Sequence, residues 1–173
     1  MCSIDTFKID LKQLNDGQTK LRFGIGDEFF EAIDAPDVRK GELTVEVVID
    51  KNPHFVTLDF HTEGVVCIPC DLCLDDMAQP IETDNRLVVK FGNSYSEDDD
   101  IITVDENEGI LDTAWFIYES IALAIPIKHV HAPGKCNPAM SKMLVEHSAA
   151  RSSEGESETT IDPRWEKLKN IKI

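Results

Sequence analysis

Apolar and polar residues alternate through the first half of the chain. Leu43, Val45, Val47 and Ile49 are interleaved with Thr44, Glu46 and Val48. After the turn residues Asp50, Lys51, Asn52 and Pro53, the same period returns in Val56, Leu58 and Phe60, spaced by Thr57 and Asp59. A period of two buries one side of a strand, so these residues predict an antiparallel hairpin with one wet face. Thr62, Glu63 and Gly64 read as a second turn, leading into a strand over 65–70, and 81–91 alternates again through Leu87 and Val89. Residues 4–11 and 20–25 are candidates for further strands, and 27–33, with Phe29, Phe30 and Ile33, for a short helix.

The period changes in the second half. Leu111, Trp115, Tyr118, Ala122 and Ile125 fall at helical spacing and predict a helix from about Leu111 to Ile125, with Asp112 as candidate N-cap and Pro126 as its stop. Trp115 and Tyr118 are read as core. Residues 138–147 predict another short helix. Glu97, Asp98, Asp99 and Asp100 put a like-charge run in 94–100, read as a solvated loop, since the alternating ligands and central glycine of a calcium loop are missing. Residues 149–160 are rich in Ser, Glu and Thr without large apolar side chains and read as a flexible acidic linker. In 161–173, Pro163 suits a helix start, and Trp165, Leu168 and Ile171 share one side of a short basic segment. Such a segment is too short to be stable alone and needs a surface, its own sheet or a partner's. The expected architecture is α+β: a curved antiparallel sheet packed by one main helix, in a single domain over 1–148, followed by the linker and the basic tail.

Composition narrows the function. With 173 residues, 42% of them hydrophobic, the chain suffices for one domain with its own core. Its formal charge of −16 repels phosphate backbones and favours basic proteins as partners. No apolar run approaches the ~20 residues of a membrane helix. The start Met1-Cys2-Ser3-Ile4-Asp5 shows no charged-then-apolar signal pattern, and a cytoplasmic protein is expected. There thiols stay reduced, so the five cysteines read as ligands, small buried residues or reactive groups, with Cys2 incidental.

The candidate chemistry lies in Cys67-Ile68-Pro69-Cys70-Asp71-Leu72-Cys73, whose overlapping C-x-x-C steps form a knuckle between two predicted strands. Far downstream, His129-Val130-His131-Ala132-Pro133-Gly134-Lys135-Cys136 offers imidazole and thiol again. Cys70, Cys73, His131 and Cys136 would make a closed Cys3His set for zinc, a structural rather than catalytic arrangement. His129 can replace His131, and Cys67 can displace either. The plainer alternative is a pair of buried thiols that the downstream residues never meet. Catalysis has little support: there is no nucleophile elbow and no H-E-x-x-H, and Gly24-Ile25-Gly26 lacks a third glycine. A dithiol redox role would want a strand-helix-strand context around Cys70 and Cys73 that the pattern does not show. The expectation is a non-catalytic binding protein without a small-molecule substrate; a dithiol redox protein or a general protein-interaction module are the alternatives.

Four landmarks carry a family resemblance. Gly64-Val65-Val66-Cys67-Ile68-Pro69-Cys70-Asp71-Leu72-Cys73-Leu74 is similar to a glycine, a strand and then C-x-R-C-L. Ile110-Leu111-Asp112-Thr113 through Ile121-Ala122-Leu123-Ala124-Ile125-Pro126 is similar to an acidic-led helix ending in L-x-L-P. His131 and Cys136 follow, and Asp162-Pro163-Arg164-Trp165-Glu166-Lys167-Leu168 closes the series. In this order they resemble the YceD family, domain of unknown function 177, associated with accumulation of 23S ribosomal RNA. The resemblance implies a role in ribosome biogenesis. Leu72 stands where that family often has arginine, and His129 where a second proline is common. Ribosomal proteins or assembly factors are then the expected partners, with Arg164, Trp165, Lys167 and Leu168 as contact residues and the tail as the segment for any direct RNA contact.

Overall fold

The computed structural model describes residues 4–93, 96–98 and 101–147, with backbone alone at 97 and 98. The expected linker and tail, with Arg164, Trp165, Lys167 and Leu168, lie outside the described residues, as does Cys2. The fold is α+β. After a 3-10 turn at Ile4–Phe7, the chain forms β1 (Lys8–Asp10), β2 (Gly17–Ile25), α1 (Asp27–Ala32), β3 (Lys40–Lys51), β4 (Val56–Pro69) and β5 (Asp76–Gly92). It continues through β6 (Ser96–Asp98), β7 (Ile101–Asp105), β8 (Ile110–Asp112), α2 (Ala114–Leu123) and α3 (Pro138–His147). The main sheet has the order β2-β3-β4-β5-β7-β6, and β1 pairs with β8 in a small second sheet.

The predicted hairpin is β3–β4, in a register that sets Val45 opposite Thr62, Val47 opposite Phe60 and Ile49 opposite Leu58. These side chains are buried, and the alternate positions face outward. The turn expected at 62–64 is absent: β4 runs unbroken to Pro69. Gly64 is needed there for close approach. At φ +152 it passes β3 so tightly that a Cβ would sit 2.3 Å from Glu42 O and 2.5 Å from Leu43 Cα. A glycine in a strand can mark such an approach as readily as a turn.

Two further expectations change. The sheet is mixed, because β7 pairs parallel with the end of β5 while β6 folds back antiparallel on β7. The acidic run read as a loop therefore supplies part of a three-residue edge strand, and short charged edges resist pairing with other chains. The main helix begins at Ala114, because Leu111 belongs to β8, opposite Ile9 of β1. Asp112 still serves the helix start by accepting the Ala114 N–H at 3.0 Å. The Thr113 hydroxyl donates to Phe7 O at 2.7 Å and ties that start to the N-terminal segment.

The core lies between one face of the sheet and the elements laid over it. Phe7, Phe23, Phe29 and Phe30 form an aromatic cluster with ring centroids 4.8–5.4 Å apart. Helix α2 adds Ala114, Ile117, Tyr118 and Ile121, and the Tyr118 hydroxyl accepts the Asp37 N–H. Trp115, expected in the core, is 48% exposed: it lies one residue off the buried stripe, donates to Glu119 at 2.6 Å and leans on the Tyr118 ring. The opposite face of the sheet is polar and largely acidic. His61 pairs with Asp84 at 2.7 Å, Arg86 with Asp59, and Glu63 stands directly opposite Glu82. No described helix is long and apolar enough to cross a membrane.

Gly64 and Gly24 should separate close approach from mere strand position. Gly64→Ala drives a methyl into β3 backbone and is expected to cost about 3 kcal/mol by chemical denaturation. At Gly24 nothing lies within 4 Å, so Gly24→Ala should change stability by less than about 1 kcal/mol.

Candidate metal centre

The knuckle starts where β4 ends. Cys70 follows Pro69, and a tight turn returns the chain to β5: Leu74 N–H donates to Cys70 O and Cys70 N–H to Asp75 O, both at 2.9 Å. To close it, Leu74 takes a left-handed conformation, φ +63, that a branched residue seldom adopts. The turn carries Cys70 and Cys73 inward, where both are buried, and leaves Leu72 and Leu74 exposed at its tip. The Leu72 N–H donates to Cys70 Sγ at 3.4 Å, which orients that sulfur.

The second half of the site comes from the exit of α2. Pro126 prevents continuation, and the segment beyond is held to the knuckle by Asp71 and His129. Asp71 N–H donates to His129 O at 3.0 Å, and His129 N–H donates to Asp71 Oδ2 at 2.7 Å. The His129 ring lies between Pro126 O, 3.0 Å from Nδ1, and Asp71 Oδ1, 3.3 Å from Nε2. Two residues on, His131 turns into the knuckle. The loop after it is closed by Lys135 N–H donating to Ala132 O at 2.9 Å, with Gly134 at φ +78, and this brings Cys136 back.

Four donor atoms meet there. Cys73 Sγ is 3.3 Å from His131 Nδ1, Cys136 Sγ is 4.0 Å from the same nitrogen, and Cys70 Sγ is 3.9 Å from Cys136 Sγ. All four lie within 4.8 Å of one another. Bonds of about 2.0–2.3 Å from a tetrahedral ion set its ligand atoms roughly 3.5–3.8 Å apart, so the cluster has nearly the size of a tetrahedral shell. The set can hold a metal ion.

The electrostatics sets the thiols of this corner apart. Burial pushes the Cys70 thiol up, but hydrogen bonds from the backbones of Cys73, Leu72 and His131 and from the His131 ring bring it down to about 6. Cys136 is pushed up to about 11, first by burial and then by its hydrogen bonds and charge repulsion with Cys70 and Cys73. One thiolate is favoured, and the next is resisted. A bound cation removes that conflict, because it favours the deprotonated form of every coordinating thiol.

Both alternates fall outside the cluster. Cys67 lies on the outward face of β4, opposite Lys40 and Ala78, and burial followed by the Asp76 charge raises its thiol. Strand alternation separates it from Cys70. His129 is occupied by Asp71 and Pro126 and positions the segment instead of joining the four. Sequence reasoning missed Asp71 as a clamp, and no local signal marks a partner 58 residues away. It also missed Asn137, whose amide donates to Asp75 at 3.1 Å and whose oxygen accepts the Ala139 N–H. Asn before Pro138 is a readable helix start.

These features define an acidic α+β domain whose two halves are joined at a thiol-rich corner able to hold a metal. The model for the large ribosomal RNA subunit accumulation protein YceD matches residues 58–172, about two thirds of the chain, and the chain belongs to that family. The match begins within β4 and takes in all four donors. No curated protein and no solved structure matches the chain.

The division of labour between the two histidines is open to direct measurement. Titrated with Co2+, whose visible absorption reports tetrahedral thiolate ligation, His131→Ala should lose most of the signal of the parent. His129→Ala should keep the spectrum while weakening affinity about tenfold, as loss of a positioning group does.

Proposed function

We propose that this protein is a non-catalytic assembly factor that supports accumulation of 23S ribosomal RNA, and that zinc staples its binding surfaces into one rigid unit. The observation that carries this reading is the family match, which spans residues 58–172 and takes in all four donors. Three thiolates and an imidazole suit zinc, and a filled shell of four protein ligands leaves no position for a reacting water. The role of the ion is therefore mechanical. It joins residues 58 and 66 positions apart, closing a loop whose disorder would otherwise favour the unfolded chain.

The acidic face of the sheet supports a basic protein as partner. Glu63 opposite Glu82 is a like-charge pair that destabilises an isolated sheet, and lysines or arginines of a ribosomal protein would offset that repulsion. Arg164, Trp165, Lys167 and Leu168 of the tail provide a second contact, to protein or to RNA phosphates. The location that fits such a partner is the cytoplasm. A dithiol redox reading has one observation in its favour, the lowered Cys70 thiol. Cys70 and Cys73 are nevertheless buried, which leaves an attacking disulfide no approach.

The protein as purified should hold about one zinc per chain. Stripping it with a chelator should lower the melting temperature by about 10 °C. Cys73→Ser should abolish retention of the metal. In the cell of origin, depletion should lower the ratio of 23S to 16S ribosomal RNA, with rescue by the parent chain and not by Cys73→Ser. An unchanged ratio on depletion overturns the assembly reading, and a metal-free chain of unaltered stability overturns the staple.

A further inference from the structure

Helix α3 buries none of its ten residues against the described part of the chain. It starts soundly: the Asn137 side chain accepts the Ala139 N–H at 3.0 Å, the Asn137 carbonyl accepts the Ser141 N–H at 3.0 Å, and Pro138 occupies the first turn. A helix of this length is nonetheless marginal in water unless one face is packed. Met140, Met143 and Leu144 supply such a face at i, i+3 and i+4, and Met143 and Leu144 are exposed among the described residues. Stability of α3 requires that something cover them.

The chain carries a matching segment. Trp165, Leu168 and Ile171 recur at i, i+3 and i+6, and this stretch too is short of the length that supports a helix alone. Two such stripes laid against each other satisfy both. Residues 148–164 lie between them, and seventeen residues reach up to about 55 Å when extended. A ten-residue helix is only about 15 Å long, so the return is sterically easy. Charge favours it as well. Arg164, Lys167, Lys169 and Lys172 outnumber Asp162 and Glu166 in a chain whose net charge is −16, so the body attracts its own tail. The family match ends at residue 172 and so includes both stripes.

We propose that Trp165, Leu168 and Ile171 pack in cis on Met140, Met143 and Leu144, forming a helical hairpin attached to the metal corner through Cys136 and Asn137. This goes beyond the assembly reading, since it gives the tail a seat within the free protein. Arg164 and Lys167 then remain available to a partner, whereas Trp165 and Leu168 are engaged on α3 in the free protein.

Fluorescence of the full-length chain tests it. Trp115 is exposed, so Trp115→Phe leaves Trp165 as the sole tryptophan emitter without disturbing the core. Trp165 emission should be blue-shifted, protected from acrylamide and independent of protein concentration. Adding Met143→Asp and Leu144→Asp, at positions that bury nothing in the body, should raise quenching several-fold while the near-ultraviolet signal of the core persists. The proposal is overturned if Trp165 is as accessible as in a free peptide, or if protection survives the two α3 substitutions. Protection that fades on dilution overturns it too, in favour of a second copy as occupant. No ribosomal component is present in the assay, so a negative result leaves the assembly reading standing.

Discussion

The joint between the Cys70–Cys73 turn and the segment after α2 is the contact on which the arrangement of this molecule depends. The strands β4 and β5 form a long ribbon whose knuckle end, among the described residues, is left unpaired on the β5 side: β7 pairs with β5 only from Val88 onward. A ribbon end with one side unpaired frays unless something holds it. Asp71 and His129 supply the hydrogen bonds, and the four donors supply the means of locking them. Because the downstream half leads directly out of α2, the joint also fixes the helix that covers the core. Local turn geometry, helix exit and sheet end are thereby one structural unit, built from residues about 60 positions apart.

The sequence made the strands legible because one face of each is wet, and a period of two survives in the residue pattern. Leu43 to Ile49 and Val56 to Phe60 pair as the alternation implies. Gly64 misled because one residue type serves both turns and close strand contacts, and the deciding fact, the position of the Leu43 backbone, is not local. Trp115 misled in a similar way. A stripe drawn through 111, 115 and 118 is offset from the buried one through 114, 117, 118 and 121, and only the docking of β8 on β1 fixes which side of the helix faces inward. The parallel pairing of β7 depends on a chain reversal at β6 that an acidic composition does not announce.

The four-donor corner was legible in its residue types and not in which of them the fold brings together. Cys70, Cys73, His131 and Cys136 were the foremost candidates, but Cys67 and His129 had equal chemical claims on the page of residues alone. Pleat and clamp exclude them. Cys67 is three residues before Cys70 and still within β4, so its side chain leaves by the outer face. His129 lies where its backbone must serve Asp71, and its ring follows. Spacing brings ligands into range, while the neighbouring hydrogen bonds decide which of them turns inward.

A closed joint of this kind bears on how the protein can act. An ion held by all four donors would have no position left for substrate, and Cys70 and Cys73 are buried, so in the proposed role activity resides on surfaces. Those surfaces differ in character: an acidic sheet face, with Glu63 and Glu82 in opposition, and helix α3, which in the proposed hairpin seats the basic tail. Both are fixed relative to the same corner, the first through β4 and β5 and the second through Cys136 and Asn137. Rigid presentation reduces the ordering cost of binding at two places at once. In the proposed role, recognition of a basic ribosomal protein by the sheet face would let a chain of net charge −16 act in ribosomal RNA accumulation although its overall charge repels the RNA backbone.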